Sequence, residues 1–210
     1  PKAVEYNYSI AAVWGLDTPL DPRGQLVEPG RYTAVLTVDG QSQSVPVDIV
    51  ADPRVVNADY SAAHQFSESL YAPMELTWRG YAESETVRDQ LDKRIAEIRD
   101  PALLADAKAL RAKLEPPTTP NAGFGGESGT LASLETSAEG SDTAPTAALR
   151  QTAIATIAQV NADWAAWQQV KTSELDALNR RLTAAGLQPV TVPPEAQLSV
   201  GAAEGGIDLP

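Results

Sequence analysis

The chain has 210 residues, of which 28 are acidic and 16 basic, for a net charge of -12, and it contains no cysteine. Such acidity disfavours nucleic acid and anionic lipid as partners, and the missing thiols exclude disulfides, thiolate catalysis and zinc–thiolate sites. No run of about 18 apolar residues occurs, so no membrane span is read, while the length suffices for one large or two small domains with a real core.

Residues 1–52 read as β structure. Tyr6, Tyr8, Ile10, Ala12 and Trp14 alternate before Gly15, Asp17, Pro19, Pro22 and Gly24 break the pattern, which predicts a strand and then an irregular loop. The clearest local signal follows: Pro29-Gly30 opens a strand and Asp39-Gly40 forms a two-residue hairpin turn. That turn pairs Val38 with Gln41, Leu36 with Gln43, Ala34 with Val45 and Tyr32 with Val47. Tyr32, Leu36, Val38, Val45, Val47 and Ile49 then share one face, and Pro46 falls at a non-hydrogen-bonded position, as on an edge strand. A hairpin with one further strand cannot bury such a face, because an Ig-like sandwich needs about seven strands. The expectation is a small Ig-like antiparallel module whose remaining strands lie upstream of Pro1.

Residues 53–115 switch to a helical period. Phe66, Leu70, Met74, Trp78, Tyr81, Val87, Leu91, Ile95 and Ile98 recur every three or four positions, with Asn57 as the cap and Pro73 as a kink. Asp100-Pro101 caps and starts a short helix with Leu103, Ala107, Leu110 and Leu114 inward. Residues 116–142, rich in Pro, Gly, Ser and Thr, read as a flexible loop with one short helical turn at Leu131 and Leu134. Residues 143–186 form the organising element, a long helix capped by Thr143 or Asp142 and ended at Gly186, with Ile154, Ile157, Val160, Trp164, Trp167, Val170, Leu175, Leu178 and Leu182 as its stripe. At roughly 40 residues it spans about 60 Å and needs a partner of similar length. Antiparallel pairing with the first helix would bring Trp78 level with Trp164 and Trp167. Residues 187–210 read as an extended tail that packs back onto the sheet. The fold class is therefore α+β: an incomplete Ig-like module followed by a long antiparallel helical hairpin or bundle.

Four stretches taken together, Glu28 to Gly40, Asp52 to Val55, Asp142 to Thr146 and Leu178 to Val190, resemble the C-terminal region of bacterial sortilin-like proteins with BNR-repeat β-propellers, a glycosyl-hydrolase-like group. The resemblance implies an Ig-like module and long helices behind a propeller that is absent here. It carries over no catalytic residue, since the family's site would lie on the propeller.

The chemistry of the residues is read as structural. His64 is the sole histidine, and Glu68 is its only partner at helical spacing, which does not complete a metal site. Glu83, Glu85, Asp89, Asp92 and Glu97 stand beside Arg88, Lys93 and Arg94 as ion pairs of a solvated helix face rather than as a glycosidase pair. Gly123 to Thr130 lacks the lysine of a phosphate loop, and no serine has triad partners. Catalytic, cofactor and metal residues are thus given as none, with Trp14, Tyr6 and Tyr8 as the candidate sugar-stacking set. Asn7-Tyr8-Ser9 matches a glycosylation sequon by accident in a bacterial reading.

The functional expectation is a non-catalytic structural or interaction region of a larger, propeller-containing, secreted or periplasmic protein, partnered by the upstream propeller part or by a second chain, without nucleic acid and without cofactors. The parent remains open to hydrolase activity. The alternatives are a subunit or carbohydrate-binding module of a glycosidase-like enzyme, and an independent helical assembly protein. Pro1, with no signal-like segment before it, reads as the start of a piece or of a processed product.

Overall fold

The structure is a computed structural model in which residues 26–119 and 121–192 are described. It is mixed α+β. Strands β1 (Gly30–Val38) and β2 (Gln41–Ile49) form a two-stranded antiparallel sheet, followed by helices α1 (Tyr60–Glu97), α2 (Pro101–Lys113), α3 (Gly123–Glu139) and α4 (Ala147–Gln169), a π-helical turn (Val170–Leu175) and α5 (Asp176–Ala184). The chain divides into two compact units. The first comprises the described residues up to Gly80 together with those of Pro117–Ala165, and the second comprises Tyr81–Pro116 and the described residues from Ala166 onward.

In the first unit the hairpin has the register that its turn dictates: Val38 faces Gln41, Leu36 faces Gln43, Tyr32 faces Val47 and Thr33 faces Pro46. Asp39 (φ 51°) and Gly40 (φ 77°) supply the two left-handed residues of a type I′ turn. Cross-strand partners point to the same side, so Arg31 and Asp48 (3.7 Å) and the Thr37 and Ser42 hydroxyls (2.7 Å) lie on the polar face.

The helical core of this unit joins Phe66 and Leu70 of α1, Leu131, Leu134 and Ala138 of α3, and Ala153 and Val160 of α4, with Met74 and Ile157 packed against it. Asp59, and not Asn57, caps α1, its Oδ1 accepting from the Ala62 N–H at 3.1 Å. Thr146, rather than Thr143 or Asp142, caps α4 through a bond from the Leu149 N–H at 3.2 Å. Ile154 stands outside the core, 63% exposed, because Ala153 holds the inward position.

The main correction is α3, which occupies most of the stretch expected to be a flexible loop. Helix propensity argues against it, since Gly125, Gly126 and Gly129 together cost about 2–3 kcal/mol relative to alanine. Packing offsets this, because burying Leu131 and Leu134 contributes roughly 1.5–3 kcal/mol each. Two glycines are also required by shape. A Cβ on Gly126 would fall 2.4 Å from the Asn121 backbone carbon, and one on Gly80 of α1 would fall 2.5 Å from the Phe124 ring of α3. Bare backbone at Gly80 is thus the seat of Phe124. Four hydroxyls, on Thr130, Ser133, Thr136 and Ser137, turn back onto carbonyls of α3 itself.

In the second unit Val87 and Leu91 of α1, Ile98 just after it, Leu103, Ala107 and Leu110 of α2, and Leu178 and Leu182 of α5 are buried, and α2 packs on α5. Asp100 caps α2 through the Leu103 N–H (2.6 Å), with Pro101 opening the helix. The buried residues Trp167 and Leu175 are eight positions apart, whereas Leu175 and Leu182 are seven apart. The π turn between them takes up the extra residue and keeps Leu175 inward. Gly186 (φ 75°) ends α5, with the Leu187 N–H bonded to the Leu182 carbonyl at 2.9 Å. Val190 is buried in the second unit, its N–H and C=O both taken by the Asn179 side-chain amide at 2.8 Å, and Thr191 is held by Gln90.

Gly80→Ala should lower stability by about 1–3 kcal/mol although alanine is the better helix former, because the Phe124 ring must move. Chemical denaturation measures this, and a gain in stability would contradict the seat assigned to Phe124.

Candidate functional site

The first candidate is the apolar face of the hairpin. Alternation along β1 and β2 puts Tyr32, Leu36, Val38, Val45, Val47 and Ile49 on one side of the sheet, and their exposure ranges from 36% for Tyr32 and Ile49 to 67% for Leu36. Large contiguous apolar surface of this kind marks an interaction site. Beside it, a pocket of about 280 Å³ is lined by Ile49, Val50, Tyr60, His64, Ser67 and Asp142, among others. His64 is half-buried there, and its Nδ1–H donates to the Leu26 carbonyl at 3.1 Å, while the Leu26 N–H donates to Glu139 at 3.0 Å. The imidazole thus ties the chain ahead of β1 to α1. Glu68 is exposed, and among the described residues no group of three or more His, Cys, Asp or Glu is placed to hold a metal ion.

The acidic residues of α1 do not form one class. Glu85 pairs with Arg88, Glu97 with Arg94, and Asp92 with Arg111 at 2.8 Å, all at the surface, and Asp89 is exposed. Glu83 differs from the solvated role expected of it. It is 5% exposed, and one of its oxygens accepts from both the Trp167 Nε1–H (2.7 Å) and the Lys171 ammonium (2.6 Å). Lys171 also lies 5.5 Å from the centre of the Trp167 ring, so its charge is held by a carboxylate and by an aromatic face together. The π turn carries Lys171 into this cluster.

A third carboxyl site escapes a reading by type alone. Glu127 of α3 is 1% exposed, and neither of its oxygens has a hydrogen-bond donor. Burial, reinforced by the facing Asp163 carboxylate of α4, pushes its pKa up to about 8. Glu135, two turns further along α3, is half-buried and raised by burial too, with the Ser67 hydroxyl donating to it. Phe124 meets Trp164 edge-on at 6.4 Å, and the Arg79 guanidinium lies 5.2 Å from the Trp164 ring. Thus α3 supplies Trp164, which the helix-pairing scheme placed beside Trp78, with an aromatic neighbour. A signal for Glu127 did exist in the sequence. It stands four residues before Leu131 and seven before Leu134, on the same helical face. With Glu127 buried, a sugar has no access to both carboxyls, so glycoside hydrolysis gains nothing from the pair.

Trp14, Tyr6 and Tyr8, together with the Asn7 sequon, lie outside the described residues. The segment from Gly123 to Thr130 begins a helix, with Gly123 at φ 68° and Glu127 turned into the core. None of the described helices is long and apolar enough to cross a membrane. No known protein family, curated protein or solved structure matches the chain.

Glu83→Ala is expected to destabilise the protein by about 3–5 kcal/mol, since Lys171 and the Trp167 N–H lose a buried acceptor. Replacing Glu83 and Lys171 together by methionine should recover most of that loss. Equal losses for the single and double variants in urea melts would show that the pair itself is not the cause.

Proposed function

We propose that the chain is a non-catalytic structural and interaction region of a larger, propeller-containing secreted protein, whose β module docks through the apolar face of β1 and β2 onto β structure of that same protein. The occupant proposed is a further β strand of that same protein. The observation that supports the reading is the exposure of six large apolar side chains on one face of a sheet that contains only two strands among the described residues. A two-stranded hairpin is marginal by itself, and added strands would bury that face.

Charge and backbone chemistry favour an apolar β partner over an acidic or helical one. Along the paired strands the exposed face carries no charged side chain, whereas Arg31, Asp48 and the Thr37 and Ser42 hydroxyls lie on the other side. Pro46 removes an outward-pointing N–H from β2, so β1 offers the better edge for a further strand. The sortilin-like and Ig-like assignments belong to this proposal, as does an extracellular or periplasmic setting.

The full-length protein tests the reading. Leu36→Lys should lower its stability by about 1.5–3 kcal/mol, while Val35→Lys, which changes an equally exposed residue on the opposite face, should stay within about 0.5 kcal/mol. Indistinguishable melting of the two variants would overturn the assignment of this face.

A further inference from the structure

Glu127 poses a problem of charge that the protein groups around it do not solve. It sits in the buried row of α3 with Leu131, Leu134 and Ala138, its oxygens have no donor, and the group facing it is another carboxyl, Asp163. Asp163 already accepts from the Gln159 amide at 2.8 Å. A buried carboxylate is disfavoured beside a second carboxylate at the half-buried Asp163, whereas a carboxylic acid at Glu127 can donate to that neighbour. A divalent cation would need several more oxygen ligands, and no third metal-ligating residue joins the pair among the described residues. Arg79 of α1 stacks on Trp164, the residue after Asp163. Further along α3, Glu135 faces Ser67 of α1, with Glu139 and His64 near it.

We propose that α3 is a proton-latched cover: it stays docked on α1 and α4 while Glu127 holds a proton, and it releases when that proton is lost. Release would uncover the apolar strip of Phe66, Leu70, Ala153 and Val160 that α3 now buries. The helix suits such a role because its glycines give it little stability apart from its packing.

The direction of the effect follows from linkage. Glu127 titrates near 4.5 when exposed and near 8 when docked, so the docked form binds the extra proton between those values. Docking is therefore strongest below the lower value. It weakens by about tenfold per pH unit as pH rises, and the latch is lost as pH passes through about 8. Glu135 adds a smaller slope of the same sign.

Amide hydrogen exchange of the full chain at pH 6, 7.5 and 9, corrected for intrinsic exchange rates, tests the latch. Protection of residues 123–139 should fall on the order of 100-fold relative to α2 across that range. Glu127→Gln should remove most of this fall, leaving only the part due to Glu135. Asp163→Asn, which keeps the buried carboxyl but removes its charged neighbour, should move the midpoint to lower pH, and it serves as the test if Glu127→Gln does not fold. A constant ratio between α3 and α2, an unchanged slope in Glu127→Gln, or an unmoved midpoint in Asp163→Asn would each overturn the proposal. Millimolar calcium that restored protection at pH 9 would also overturn it, in favour of a metal at the pair.

Discussion

The first helical unit closes on one contact, the ring of Phe124 laid on the bare backbone of Gly80. From that seat α3 runs along α1 and α4 and places Leu131, Leu134 and Ala138 in the core. The segment has little helix propensity of its own, so its order depends on what lies beneath it. A helix maintained mainly by its packing is cooperative with its neighbours, and a local disturbance at the seat or in the buried row is felt along its whole length.

Two buried glutamates show two ways of neutralising one charge. In the second unit, Glu83 meets a lysine and an indole N–H, and its carboxyl gains two hydrogen bonds, one of them an ion pair. In the first unit, Glu127 meets a carboxylate, and the neutralising particle must be a proton. The first solution fixes structure through direct contacts. The second ties structure to pH, which is why identical side chains in one long-helix protein take different roles.

Local chemistry written in a few adjacent residues was legible in the sequence. Asp39-Gly40 permits only a tight mirror-image turn, which sets the hairpin register, and alternation then identifies the apolar face. Asp100-Pro101 and Gly186 mark helix ends for equally local reasons. Features decided by distant residues were not legible. The glycines of α3 look like a linker until Phe124 is seen against Gly80, and Glu83 looks solvated until Lys171 arrives from the π turn. Likewise Asn179, far from any strand pattern, captures both backbone groups of Val190. Of the candidate site, the exposed face could be read from alternation, whereas Glu127 needed its helical partners, which a loop assignment had removed.

The assembly of helix and seat is tested most directly by nuclear Overhauser contacts between the Phe124 ring protons and the Gly80 Hα protons in the full chain near pH 6. The account predicts strong contacts, Gly80 protons shifted by the ring current, and helical chemical shifts from Gly123 to Glu139. Random-coil shifts over that segment, with no contact to Gly80, would contradict it.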